Sequence, residues 1–336
     1  MVNSYYTRNL FFDDIIREYL DNDKREWVRH ERPSESTTMT DIDYNFADGT
    51  PICKIMSQME GLGILGNKRQ QYELMEKEKP ASIGTCIPLT YPFTLDTVDS
   101  IKHLFDGRKF IVKPENGMMQ HGIRLVKSVD ECLQNARLNQ MTPDCGNEWI
   151  LQEYIDPPLL YDGKKFHLRA YALLVKTIRG LKVYVYEGGM LYFAKDPYDP
   201  QDLSSGPNLT GGTLGGAKRF PEDYERMFGS HRVKDVLSQV KRIVKDTVEP
   251  AIPHLKCKNA NIRGHKSFKM IAYDILIDSK GTCYLGEINV RWIGMEYPSQ
   301  EFKGKFYRDL MTLVHHPHLS DKDSGFTLVG SYPCKK

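Results

Sequence analysis

Residues 268–295 constrain this chain more than any other stretch. They read as two apolar strands joined by a tight turn, with acids set among the apolar residues. In the first strand Met270, Ala272, Asp274, Leu276 and Asp278 fall on one face. Ile271, Tyr273, Ile275 and Ile277 fall on the other, because side chains alternate along a strand. Asp278-Ser279-Lys280-Gly281 supplies the turn, and 282–290 is the returning strand. Asp274 therefore sits in an apolar run, where an unpaired carboxylate is costly. With the turn closing at 279–280, Asp274 pairs with residue 285 and lies one diagonal step from Glu287. Asn289 faces the same way as Glu287. An oxygen cluster of Asp274, Glu287 and Asn289 suits Mg²⁺, which takes one or two carboxylates and fills its other positions with phosphate oxygens and water. The alternative is a solvated edge hairpin whose acids face water. The apolar neighbours Ile275, Leu276, Leu285 and Ile288 weigh against it.

A chain of 336 residues is long enough for two or three packed layers or domains. A net charge of +2 gives no argument for nucleic acid. The seven cysteines show no CxxC and no close pairing. That excludes a zinc site and a disulfide framework, and points to a reducing compartment. No apolar run reaches a membrane span. The first residues carry acids where a signal peptide would need its apolar stretch. The expectation is a soluble, cytoplasmic protein with no nucleic-acid or membrane partner.

Residues 1–50 read as a short α/β start that forms a small open sheet packed on the rest. Phe11, Ile15, Ile16, Tyr19 and Leu20 recur at helical spacing, and 27–29 and 38–46 look extended. Asn67-Lys68-Arg69 opens a helix through Lys79 whose charged side reads as a solvated face. A further helix is expected over 95–105. In 108–127, Phe110-Ile111-Val112 is a buried strand ending in Lys113, a loop with Gly117 and Gly122 follows, and 123–126 returns as a strand. Glycine lets backbone N–H groups approach phosphate oxygens and lysine neutralises their charge, so this is a candidate phosphate lid. The alternative is an ordinary hairpin. In the strand starting at Lys165, the residues Lys165, His167, Arg169 and Tyr171 share one face, while Phe166, Leu168, Ala170 and Ala172 share the other. A cationic face of this kind is an anion-binding wall or an edge strand protected by charge. Residues 201–217 read as loop, either a segment over a site or a linker. Residues 233–248 form an amphipathic helix, and the basic loop Lys256, Lys258, Arg263, His265 and Lys266 precedes the hairpin.

In this order the pieces resemble the ATP-grasp core of the tubulin–tyrosine ligase family, polyglutamylase and polyglycylase members included. The stretches that carry the resemblance are Ile111-Val112-Lys113-Pro114 with the GMMQHGI loop, LQEYIDPPLL at 151–160, DGKKFHLR at 162–169, Asn208-Leu209-Thr210, and Tyr273-Asp274 with Gly286-Glu287-Ile288-Asn289. It covers roughly residues 60–316. The implied fold is α/β (α+β), with ATP between two antiparallel sheets. The implied domains are 1–55, a small N-terminal α/β domain; 56–145, a central domain with the lysine lid; 146–320, the catalytic domain; and 321–336, a tail. The implied activity is an ATP-dependent carboxylate–amine ligase. Its substrates would be a free amino acid (tyrosine, glutamate or glycine) and a protein with an acidic tail, tubulin being the first candidate. Lys113 and Lys165 would contact phosphates, Gln152, Glu153, Tyr154 and Ile155 would form the hinge at adenine, and Gly117 and Gly122 of the lid would also bind the nucleotide. Asp274, Glu287 and Asn289 would hold Mg²⁺, with Mn²⁺ as a substitute, and Arg169 would steady the acyl-phosphate. Three positions depart from the pattern. His167 stands where the family usually has Asp, Tyr192 stands near an Arg of the tyrosine-ligating member, and Leu-Thr-Asn reads Leu209-Thr210-Gly211. A small-molecule ligase and a non-catalytic nucleotide-binding scaffold are the competing expectations.

Overall fold

The structure is a computed structural model. It describes 59–117, 120–139, 147–211, 215–256, 266–291, 293–295, 298–315 and 324–334, and the backbone of the strands at 3–6, 27–29, 38–39 and 55–56. The expected helix around Phe11 to Leu20 lies outside these residues.

In chain order the strands are β1 (Asn3–Tyr6), β2 (Trp27–Arg29), β3 (Thr38–Met39), β4 (Ile55–Met56), β5 (Thr90–Thr94), β6 (Phe110–Pro114), β7 (Arg124–Val126) and β8 (Glu148–Glu153). They continue with β9 (Leu160–Tyr161), β10 (Lys164–Thr177), β11 (Gly180–Phe193), β12 (Ala217–Phe220), β13 (Lys266–Ile277), β14 (Cys283–Asn289) and β15 (Phe326–Pro333). The main helices are α1 (Lys68–Glu78), α2 (Val129–Asn139), α3 (Ser230–Ala251) and α4 (Gln300–His315). No helix among the described residues is long and apolar enough to cross a membrane.

Two sheets result. The smaller has the order β5-β8-β6-β7, all antiparallel. The larger runs β12-β11-β10-β13-β4-β3-β1-β2, with β14 on β13 and β15 on β11. Its long strands pair antiparallel, while β4 joins β13, and β1 to β4 join one another, in parallel. The N-terminal strands thus extend the main sheet instead of forming a separate one. β8 pairs with β6, so the expected domain boundary at 145/146 falls inside the smaller sheet's span. The segment expected as a tail, 321–336, contains β15, which pairs with β11 from Gly180 to Tyr186. The expected helix at 95–105 is a 3₁₀ helix over Val98–Leu104.

Alternation decides what each face of the large sheet meets. Ile271, Tyr273, Ile275 and Ile277 pack on α3 through Val236, Val240, Ile243, Val244 and Val248. The opposite face is covered by α4, where Phe302, Phe306 and Leu310 meet Tyr171, Leu173, Phe268, Met270 and Ala272. Along this second face the apolar residues stop at Tyr171 on β10 and at Ala272 on β13. The next residues facing the same way are Arg169 and Asp274, which are paired with each other. One sheet face is therefore core under α4 and cleft beyond it. The smaller sheet packs on α2 and the 3₁₀ helix through Phe110, Val112, Trp149, Leu151, Cys132 and Ile101.

Candidate functional site

The site begins with a row across three strands. Arg169 on β10 pairs with Asp274 on β13, and Asp274 pairs with Glu287 on β14. The pairing differs from the expected register. Below the turn Ile277 faces Cys283 and Ile275 faces Leu285, and then Gly286 is an extra residue before Asp274 meets Glu287. Unbulged pairing would set Glu287 opposite Tyr273, on the core face. The bulge turns Glu287 back to the side of Asp274, as bulges do when they re-aim a side chain. A Cβ on Gly286 would lie 3.0 Å from the Asp274 carbonyl, so glycine suits the close approach.

Asp274 is surrounded by donors. Arg169 Nε and Nη2 donate to its two oxygens at 2.8 and 2.9 Å, the bidentate fork that guanidinium geometry favours. Asn289 Nδ2 donates to it at 3.2 Å, and His167 Nε2 lies 3.5 Å from Oδ1. Burial opposes its charge, but Arg169 and His167 hold the Asp274 carboxyl well below the usual carboxylate range. Asp274 in turn raises the Arg169 guanidinium against its burial. Glu287 Oε1 is 2.9 Å from Lys68 Nζ, and that Nζ also donates to the Gly117 carbonyl at 3.2 Å.

Two buried lysines flank this row, Lys113 on β6 of the smaller sheet and Lys165 on β10 of the larger. Lys113 Nζ donates to Gln152 Oε1 at 2.8 Å and, across the gap between the sheets, to the Gly286 carbonyl at 3.0 Å. Lys165 Nζ donates to Tyr154 Oη at 3.0 Å and lies 4.2 Å from that ring's centre. Tyr154 Oη donates to Asn208 Oδ1 at 2.8 Å. Burial lowers Lys113 to about 8, against the pull of Glu287. Burial, with Lys113 nearby, lowers Lys165 to about 7. Among the described residues neither lysine makes an ion pair.

Lys113, Gln152, Tyr154, Lys165, His167, Arg169, Asp274, Glu287 and Asn289 are thus brought together. β10 lies between β11 and β13, so the edge-strand alternative for its cationic face does not hold. Other expected residues stand further off. Glu153 reaches 3.5 Å from Arg108, on the other side of β8 from Gln152, and the N–H groups of Glu153 and Tyr154 bond to the Leu89 and Lys109 carbonyls. Ile155 is buried. Gly122 has φ +70° and its carbonyl accepts from Asn135 on α2. In the basic loop, residues 257–265 lie outside the described residues, and Lys266 Nζ is bound to the Val314 carbonyl.

Lys68 was read from sequence as part of a solvated helix face; it is 8% exposed and pairs with Glu287. The available signal was Asn67 just before it. Asn67 Oδ1 accepts from Gln70 N as an N-cap, which fixes Lys68 at the start of α1. Thr210 and Gln120 were missed as well. Thr210 Oγ1 lies 2.6 Å from His167 Nδ1, and the Thr210 carbonyl accepts from Gln120 Nε2 at 2.9 Å.

The donor set fits the groups expected. Two carboxylates and an amide on one sheet face are hard-oxygen chemistry. No cluster of three or more His, Cys, Asp or Glu forms among the described residues, in keeping with an ion that completes its shell from phosphate and water. Two buried lysines without carboxylate partners fit phosphate oxygens.

Two sheets meeting at a cleft, with Lys113 on the smaller and Lys165, Asp274 and Glu287 on the larger, make an α+β protein of ATP-grasp type. Comparison with known proteins agrees. The model of the tubulin-tyrosine ligase family matches residues 52–210. Tubulin polyglutamylase TTLL7 of Homo sapiens is 29% identical over 248 residues, covering 64% of this chain and 26% of its own length. Probable alpha-tubulin polyglutamylase Ttll1 of Tetrahymena thermophila is 28% identical over 236 residues, covering 62% and 53%. Tubulin polyglutamylase TTLL11 of Mus musculus is 30% identical over 239 residues, covering 64% and 31%. On these matches the chain is similar to the tubulin-tyrosine ligase family. It spans from about a quarter to about half of the length of these relatives.

Proposed function

We propose that this chain is an ATP- and Mg²⁺-dependent carboxylate–amine ligase that adds an amino acid, glutamate first, to the acidic tail of a protein, tubulin first. One observation carries the proposal: Lys113 from the smaller sheet and Lys165 from β10, both buried and without a carboxylate partner, stand at one cleft with Asp274, Glu287 and Asn289. The relatives' names supply glutamate and tubulin.

A carboxylate is a poor electrophile, and phosphorylation by ATP gives it a leaving group that an amine can displace. Phosphoryl transfer needs positioning and charge neutralisation more than a protein nucleophile. Lys113 and Lys165 would bind phosphate oxygens in exchange for their contacts with Gln152, Gly286 and Tyr154. Lys68, at the mouth of the lid loop, would add a third positive charge beside Glu287. Asp274, Glu287 and Asn289 would hold Mg²⁺, which supplies charge neutralisation and orientation to the phosphates. Arg169 is anchored by Asp274 and would present its remaining N–H groups to the acyl-phosphate. Closure of the 117–123 loop would exclude water from that mixed anhydride.

The test is incubation with ATP, Mg²⁺ and labelled glutamate, tyrosine or glycine, using tubulin with and without its acidic tails. Label from glutamate on intact tubulin only is expected. Equal label on tailless tubulin would remove the acidic-tail assignment. ATP consumption with free amino acids alone, and no label on protein, would move the chain to the small-molecule ligases.

A further inference from the structure

His167 is 4% exposed, and its two ring nitrogens have different neighbours. Nδ1 lies 2.6 Å from the Thr210 hydroxyl. Nε2 makes no hydrogen bond and faces Asp274 Oδ1 at 3.5 Å. A neutral imidazole has one donor and one acceptor nitrogen, and a hydroxyl can serve as either partner. The carboxylate of Asp274, already forked by Arg169, only accepts. A lone pair on Nε2 would point at that carboxylate and be repelled. The low-energy arrangement puts the proton on Nε2 and lets the Thr210 hydroxyl donate to Nδ1, so the tautomer follows from the partner of the other nitrogen.

We propose that Thr210 is a positioning residue that fixes His167 as its Nε2–H tautomer, so that the ring turns a donor toward the Asp274 carboxylate beside the Arg169 fork. Where the tubulin–tyrosine ligase pattern has Asp, an acceptor, this chain offers an N–H. Nε2 is buried against Asp274, so this N–H acts on the cleft through that carboxylate. The proposal rests on the cleft being the nucleotide site. Thr210 is well placed for the task, because its backbone is held independently of its hydroxyl. It bridges to Ala194, and its carbonyl takes the Gln120 amide. The Tyr192 ring, 5.4 Å away, packs against the imidazole.

The test uses the full chain, labelled with ¹⁵N, and two-bond ¹H–¹⁵N correlation of the histidine rings, with His167 assigned by its loss in His167→Gln. The expected result is an Nε2–H ring with a hydrogen-bonded Nδ1 in wild type and in Thr210→Ser, and a shift toward mixed tautomers in Thr210→Val. Calorimetry with ATP and Mg²⁺ should show Kd weakened roughly tenfold in Thr210→Val, the scale of one hydrogen bond to a charged group. An Nδ1–H ring, a ring protonated at both nitrogens, or a Thr210→Val spectrum like wild type overturns the proposal. Unchanged Kd with altered tautomers overturns the positioning of Asp274 through His167. Expected spectra in a wild-type chain that binds no nucleotide would instead overturn the nucleotide-site assignment.

Discussion

The Arg169–Asp274 fork can be broken with little change in shape by Asp274→Asn. The substitution leaves Arg169 charged and low in solvent, each side chain of the pair being 17% exposed. Removing one partner of a buried ion pair costs about 3–5 kcal/mol, and the residual exposure here favours the lower end. Glu287 is already neutralised by Lys68, so little acid–acid repulsion is relieved in return. Unfolding entropy scales to about 0.7 kcal/mol per degree for a chain of this length, so a loss of about 3 kcal/mol lowers Tm by roughly 4 °C. Thermal melts of wild type, Asp274→Asn, Arg169→Gln and the double variant measure it. The double variant should recover roughly 2 kcal/mol relative to the sum of the singles, as coupled neighbours do. Mg²⁺ with ATP should raise Tm of wild type and leave Asp274→Asn unmoved, because a ligand stabilises only the state that binds it. A Tm for Asp274→Asn within about 1 °C of wild type, with additive singles, would refute the pair as a structural element.

Further outcomes are expected at other positions. Glu287→Gln should fold, with Tm lowered by no more than about 4 °C because Lys68 keeps the Gly117 carbonyl, while ATP turnover falls by orders of magnitude, since the change is isosteric but removes a charge from the oxygen set; turnover at the wild-type rate in a folded variant would remove Glu287 from that set. Lys165 loses its proton near 7 when folded and near 10.4 when unfolded. Between those values the unfolded chain holds more protons, so this group makes stability rise with pH. Urea midpoints at pH 7 and pH 9.5 should climb less in Lys165→Met than in wild type, and equal climbs would refute the burial argument. Gly211→Asn should weaken lid closure, because a Cβ there would lie 2.6 Å from Gln120 Nε2 and push that amide off the Thr210 carbonyl; faster proteolysis within 115–123 is the measurement.

Much of the site was legible because its residues break a pattern. Asp274 interrupts an apolar strand, and Lys165, His167 and Arg169 recur at a spacing of two, so their shared face followed from alternation alone. The register of the hairpin was not legible. The turn closes one residue later than its composition suggested, with Asp278 N bonded to the Thr282 carbonyl. On its own that slip would have put Glu287 on the core face. The Gly286 bulge cancels it, so the expected cluster forms through a pairing that sequence did not show. Lys68 was hidden for a different reason. Its helix carries charges on its solvated side, and only contact with a strand more than two hundred residues later tells Lys68 from its neighbours. The same holds for β15, a short strand whose partner lies on the far side of α3 and α4 in sequence. The Gly211 departure from the family pattern acquires a steric account only once Gln120 is seen against it.

β15 has a consequence for any shortened form of this protein. A chain cut at residue 323 would lose its cover over β11 from Gly180 to Tyr186. The exposed backbone carbonyls and amides there would template pairing with a second molecule. Such a fragment should retain the cleft between the sheets, which lies toward the other end of β10 and β11, and yet precipitate or form filaments as its concentration rises. Loss of activity in that fragment would then report on self-association and not on the chemistry of the cleft.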